Sequence, residues 1–381
     1  MKQLFCLALV MCLLLCACAS PDNGATSAPA ESQSTQTTET FETEETQQTE
    51  FPTEEPTQES TEPPTQPPAL YTNPLTGEAV DTPMTGRPFA VMLNNIKAAM
   101  PQHGVSQADI LYEILAEGNI TRCMGIFSDV SNVEALGSIR SARKYYVDIA
   151  QSYDAVYVHA GGSDEAYAYM STIKCDHIDG VKGANASKYY YRDKDRLNSG
   201  YSKEHTMFIT GAKAVEYATK QKCTLTRSKE LSYGLHFDAE SMIMGSAANK
   251  IKIYFVTGNK PSSSTKTTTM TYKAEDGLYY AYQHGKDYID GNTGKTVAFK
   301  NVIVLKAKTT LQDNGKLRTI ELTGSGEGYF ACNGQLVPIK WSRESLYKPF
   351  VYTLENGAPL TLSVGSTYIG VIPTKGVVEY E

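Results

Sequence analysis

His159-Ala160-Gly161-Gly162-Ser163 is the sharpest chemical signal in the sequence. It falls where an apolar strand gives way to a helix, and the free N–H groups of a helix start attract anions. His159 has the chemistry of a general base and Ser163 that of a nucleophile. Ser163 lacks the flanking glycines of a Gly-x-Ser-x-Gly elbow, and a serine that opens a helix serves more simply as its N-cap. Arginines surround this segment in sequence. Arg140 and Arg143 are three apart at a helix start and share a face. Arg122 lies on a strand, and Arg192 and Arg196 follow Tyr189-Tyr190-Tyr191, sharing a face if that stretch is helical. Guanidinium groups grip carboxylates and phosphates in bidentate fashion. Arg122, Arg140, Arg143, Arg192, Arg196, His159 and Ser163 could therefore line a pocket for a peptide carboxylate or a polymer phosphate. Glu113 and Glu117 are four apart and repel on a helix unless cations intervene. They could pair with the arginines and pin the domain, or serve His159 in a hydrolase or transferase.

Motifs for other chemistries are missing. No His-Glu-x-x-His, P-loop or Gly-x-Gly-x-x-Gly fingerprint occurs. Ser171-Thr172-Ile173-Lys174 and Ser345-Leu346-Tyr347-Lys348 match Ser-x-x-Lys, but its partner motifs are absent. Cys123, Cys175, Cys223 and Cys332 form no Cys-x-x-Cys pair, and Cys175-Asp176-His177 is a single cluster. No metal site and no cofactor is expected. Cys123 and Cys332 sit in apolar, strand-like contexts and read as small buried thiols.

The elements that must position these residues change character near residue 250. Before it, strand and helix patterns alternate. Phe89-Ala90-Val91-Met92-Leu93 reads as a buried strand. Ser106-Gln107-Ala108-Asp109 has capping-box spacing ahead of Ile110-Leu111. Residues 120–127 and 155–159 read as strands, and residues 141–153 as a helix. Another helix starts at Ser163-Asp164, and a strand and helix follow at 207–209 and 211–219. After residue 250 come strand-like runs rich in Val, Ile, Thr and Tyr. They are separated by Asp276-Gly277, Asp290-Gly291, Asp313-Asn314-Gly315 and Asn333-Gly334, which signal hairpin turns. The expectation is an α+β chain: an N-terminal α/β-type domain over 70–248 followed by a mostly antiparallel β domain, a barrel or sandwich, over 249–381.

Several blocks carry a family resemblance. Arg87-Pro88-Phe89-Ala90-Val91-Met92-Leu93-Asn94-Asn95, Pro101-Gln102, Ala108-Asp109, Tyr112-Glu113, Glu117-Gly118 and Thr121-Arg122 resemble the YerB-like bacterial lipoproteins. So do Ile139-Arg140-Ser141-Ala142-Arg143, His159-Ala160-Gly161-Gly162-Ser163, Pro338-Ile339-Lys340-Trp341 and Gly365-Ser366-Thr367. The resemblance spans nearly all of the folded chain. It implies a two-domain architecture and a cell-surface setting but no reaction. It adds Asn94 and His205 to the candidate binding residues. The chain departs from the family at Glu204-His205-Thr206, where a His-Asn pair is usual, and at Ser366, where Lys is usual.

The N-terminus supplies an address. Residues 4–15 are apolar but too few to span a bilayer, which takes about 20, and they have the shape of a secretory signal. Leu15-Cys16-Ala17-Cys18 resembles a bacterial lipobox. Residues 1–17 are expected to be a signal peptide and Cys18 the lipidated residue, with two acyl chains giving stable anchoring. Residues 18–69 carry this Cys and a tract dominated by Thr, Glu, Gln, Pro and Ser, which reads as a disordered stalk. Residues 19–69 hold ten Glu, one Asp and no Lys or Arg; without them and Lys2, 34 basic and 31 acidic residues remain, about +3. The acidity of the whole chain, formal charge −7, thus belongs to the stalk. The near-neutral folded part gives no electrostatic reason to expect a nucleic-acid partner. Expected partners are the membrane, through the lipid, and a cell-wall polymer or envelope protein. The expected location is the outer face of the bacterial cytoplasmic membrane.

Overall fold

The computed structural model describes residues 71–227, 232–258 and 260–381. The segments expected to be a signal peptide and a stalk, with Cys18, lie outside the described residues. Two strands dictate the centre of the fold. Phe89–Asn94 and Ile110–Leu115 are buried at every position. Such continuous burial requires cover on both faces of a sheet. Both lie in an eleven-stranded sheet that draws on residues before and after position 249. From one edge its path runs Ser246–Ala247, Gln335–Arg343, Gly324–Cys332, Asn301–Ala307, Thr367–Pro373, Ile110–Leu115, Thr121–Phe127, Phe89–Asn94, Val156–His159 and His177–Asp179. Val351–Leu354 pairs beside this path with Gln335–Arg343. The halves join where Thr367–Pro373 runs parallel to Ile110–Leu115, with Ile369 opposite Tyr112.

One face of this sheet packs on the helices Lys144–Ser152 and Asp164–Ile173, burying Ala90, Met92, Tyr112, Met124, Tyr146 and Met170. On the other face Val91, Leu93, Leu111 and Cys123 meet Ile251, Ile253, Met270 and Tyr279. Those last four belong to a second, six-stranded antiparallel sheet containing Lys250–Phe255, Lys266–Lys273, Leu278–Gln283 and Val377–Tyr380. Burial alternates along Lys250–Phe255, as it must when one face of a sheet meets the core and the other meets water. The α+β reading holds broadly. The strands after residue 249 close no barrel among the described residues; several of them extend the large sheet instead.

Local readings differ in three places. Ile110–Leu115 is a strand and not a helix; the turn before it, Val105–Gln107, is a short 3-10 segment. Asp109 turns away from capping and accepts hydrogen bonds from the Ser128 N–H at 2.6 Å and Asn73 Nδ2 at 2.7 Å. Arg143 is the residue flanking the helix Lys144–Ser152, so Arg140 precedes the helix and shares no helical face with it. Arg192 lies on the strand Tyr191–Arg192 and Arg196 in the helix Lys194–Asn198, which separates that pair also. By contrast, the helix from Asp164 starts where expected, with Ser163 Oγ accepting from the Ala166 N–H at 3.2 Å.

Candidate functional site

Phe89–Asn94 ends in one asparagine and a second, Asn95, follows it, and neighbouring residues of an extended chain point to opposite sides. The two amides consequently serve two different polar centres at the same end of the sheet. Asn95 turns to the face covered by the second sheet. Its Nδ2 donates to Glu113 Oε1 at 2.9 Å and to Thr121 Oγ1 at 2.9 Å. Glu113 Oε1 also accepts from Thr121 Oγ1 at 2.7 Å and from the Lys266 ammonium at 2.8 Å. Its Oε2 accepts from Thr268 Oγ1 at 2.7 Å and from the Tyr368 hydroxyl at 2.8 Å. Glu113 is only 2 % exposed and Lys266 8 %. Burial by itself would raise the carboxyl pKa. The Lys266 charge and the hydroxyl donors outweigh it and hold the group below its ordinary value. Glu113 is thus an ionised strut with every oxygen engaged.

Lys266, with Asn95 and Thr121, also lines a cleft of about 590 Å³. Its walls come from residues 95–97, 119–121, 263–267 and 282–285, with Thr269. Most are polar, Lys97, Lys266 and His284 are cationic or basic, and no aspartate or glutamate lines the cleft among the described residues. Gln283 Nε2 donates to Asn95 Oδ1 at 2.9 Å, while Gln283 Oε1 is buried without a donor among the described residues. His284 Nε2 lies 3.1 Å from the Asn95 carbonyl. That contact assigns the proton to Nε2 and leaves Nδ1 an acceptor. Burial and the nearby Lys266 charge lower the His284 pKa and favour this neutral form. The cleft therefore offers hydroxyls, amides, a lysine and a neutral imidazole.

Asn94 turns to the helix-covered face, where its Nδ2 lies 3.0 Å from His205 Nδ1. Here Glu117, at the tip of the hairpin after Ile110–Leu115, draws two arginines together. Arg122 Nη2 donates to Glu117 Oε2 at 2.6 Å, and Arg143 binds Oε1 through Nε at 2.5 Å and through Nη2. Arg140 Nη1 reaches Glu204 Oε2 at 3.1 Å and the Glu204 carbonyl at 3.2 Å. Burial opposes ionisation of Glu117, but the two guanidinium charges prevail and keep its pKa low. Glu113 and Glu117 thus point into different centres. Arg196 is bound into the chain by the carbonyls of Ala99, His205 and Pro101, and Arg192 by that of Lys203.

His159 occupies a third environment. It is fully buried, with Nδ1 2.8 Å from the Gly161 carbonyl and Nε2 2.9 Å from His177 Nδ1. Gly161 adopts φ +76°, a left-handed turn natural to glycine. Its N–H donates to Asp179 Oδ1 at 2.8 Å. Asp179 accepts three further bonds, from Tyr167 OH at 2.6 Å and the N–H groups of Val181 and Lys182 at 2.9 and 3.1 Å. With both nitrogens engaged and Ser163 capping its helix, this segment fixes a strand-to-loop-to-helix junction. Of the sequence-derived candidates, the fold groups Arg122, Arg140, Arg143, Asn94 and His205. It leaves His159 and Ser163 outside that group.

Burial pushes the His159 pKa down from 6.5 to about 4, against the opposing Asp179 charge. Between those values the unfolded chain takes up a proton that the folded chain refuses, so stability falls as pH falls. The interval is worth about 3 kcal/mol. His177, also lowered chiefly by burial, acts in the same sense. Asp179 is held below its ordinary 3.8 despite burial and keeps its charge throughout. Urea unfolding at pH 7 and pH 4.5 should show the loss, and His159→Gln should flatten it. An identical slope in the variant would refute this assignment.

The residues of the cleft escaped sequence reading. Lys266, Gln283 and His284 belong to no motif. The available signal was Lys266 on the inward side of an alternating strand, because a buried ammonium demands a buried anion.

Comparison with known proteins fits this fold. The N-terminal domain model of a protein family of unknown function (DUF3048) matches residues 75–224, and its C-terminal domain model matches residues 259–369. YerB of Bacillus subtilis (strain 168), which bears the name of a lipoprotein, is 28 % identical over 301 residues, 79 % of this chain and 86 % of that protein. The crystal structure of YerB from Bacillus subtilis superposes with a TM-score of 0.70 at 26 % identity, covering 81 % of this chain and 99 % of the other. With both domain models matched in order, the chain belongs to the two-domain family of unknown function that includes YerB.

Proposed function

We propose that the protein is a lipoprotein anchored through Cys18 on the extracytoplasmic side of the membrane, where its cleft binds a polar segment of the cell envelope. The lipobox-like Leu15-Cys16-Ala17-Cys18 and the lipoprotein name of YerB support the anchor. No helix among the described residues is long and apolar enough to cross a membrane. The observation that carries the binding reading is the cleft lined by Lys97, Lys266, Gln283 and His284. It is large, rimmed by hydroxyls and amides, and basic in its charged groups. Such a site is equipped to hold a hydroxyl-rich or anion-bearing ligand. The hydrolase or transferase reading draws no support from Glu113 or Glu117, since His159 bonds Gly161 and His177 instead and both carboxylates are already bound to cations.

The test uses the full chain in non-ionic detergent, cosedimented with purified bacterial envelopes. Lys97→Glu should weaken binding about tenfold or more, as expected for a lost charge-assisted hydrogen bond, and Gln283→Ala about two- to tenfold, as for a neutral one. Binding equal to wild type in both variants would overturn the cleft as the binding site.

A further inference from the structure

We infer that the arginine centre on the helix-covered face is a second site, one that binds a ligand carboxylate, and that Glu204 holds the place of that carboxylate in the unliganded protein. Charge points this way first. Among the described residues, Arg122, Arg140 and Arg143 pair with two carboxylates, Glu117 and Glu204. One positive charge is left over, and neighbouring His205 is kept neutral mainly by burial. The repulsion is felt: after burial, the charge of Arg143 is the largest influence lowering the Arg122 pKa, and Arg140 adds to it.

Unused donors point the same way. Arg122 is 3 % exposed, yet its Nε has no acceptor among the described residues. The Nε of Arg140 is likewise buried without one. Buried N–H groups are nearly always paired, so two orphans on adjacent guanidiniums call for an acceptor.

The two resident carboxylates are held very differently. Glu117 is bound through both oxygens by two arginines. Glu204 is 59 % exposed, sits on the short turn Lys203–His205, and contacts Arg140 through a single side-chain hydrogen bond of 3.1 Å. A pair with one partner this exposed is weak. A ligand carboxylate can displace it, use the same planar fork, and reach the unused donors. The ligand class follows from the resident groups: a free carboxylate at the end of a chain. This site lies on the opposite side of the sheet end from the cleft, so it stands or falls separately from the cleft reading.

The experiment is isothermal titration of the intact chain in detergent. The probes are N-acetyl-trialanine with a free C-terminal carboxylate, its C-terminal amide, and inorganic phosphate. The free acid should bind, and the amide at least tenfold more weakly. Glu204→Gln should tighten the free acid about two- to fivefold by removing the competitor. Arg140→Ala should weaken it at least tenfold, and Arg140→Lys, which keeps the charge and loses the fork, should fall between. Absence of binding in both wild type and Glu204→Gln would overturn the site. So would equal binding of acid and amide, unchanged affinity in Glu204→Gln, or phosphate binding more tightly than the acid.

Discussion

Replacing Lys266 by Met should lower the unfolding free energy by about 3–5 kcal/mol, the usual cost of stripping one partner from a buried ion pair. Met matches most of the volume, so the loss is electrostatic. Glu113 would keep its bonds from Asn95, Thr121, Thr268 and Tyr368. Neutral donors do not offset a carboxylate that is 2 % exposed. Glu113→Gln combined with Lys266→Met should recover much of the loss, because removing both charges leaves nothing uncompensated. A double-mutant cycle by urea unfolding at pH 7 gives the coupling directly. The sign with pH is also fixed. Glu113 is held below its ordinary value of 4.5, so the pair contributes fully above that pH and fades as acid protonates the carboxyl. A single-mutant loss below about 1 kcal/mol would show that the pair is not the strut described here.

Glu117→Gln should be comparably damaging, again about 3–5 kcal/mol. The amide still accepts hydrogen bonds, but Arg122 would then be a buried cation beside Arg143 and Arg140 with no anion on its guanidinium. Glu204→Gln is the internal control. Its carboxylate is 59 % exposed, and pairs with so open a partner contribute about 0–1 kcal/mol. Two Glu→Gln changes within one cluster should therefore differ by several kilocalories in urea unfolding. Equal losses would mean that burial does not govern this cluster.

What could be read from the sequence was what local spacing determines. The strand at Phe89–Asn94 follows from an unbroken apolar run, and the Ser163 cap from a serine ahead of acidic residues. The arginines Arg122, Arg140 and Arg143 were recognisable as a group by type and proximity in sequence. Ile110–Leu115 follows a serine with capping-box spacing, yet it is the first strand of a hairpin with Thr121–Phe127 and pairs on its other side with Thr367–Pro373 from the far half of the chain. An apolar run that short does not separate helix from buried strand. The same long-range pairing unites Glu113 with Tyr368, 255 positions apart, and Lys266 joins them from a third segment. No motif spans such distances, so the cleft was invisible. His159 looked catalytic by residue type, but its burial is a property of the assembled layers.

Hydrogen exchange read by mass spectrometry tests the central claim most directly. The full chain would be compared with and without purified bacterial envelope polymer. If the cleft is the binding site, slowed exchange should centre on residues 95–97, 119–121, 263–269 and 282–285. Unchanged exchange in those four segments, with protection appearing elsewhere on the protein, would contradict the account.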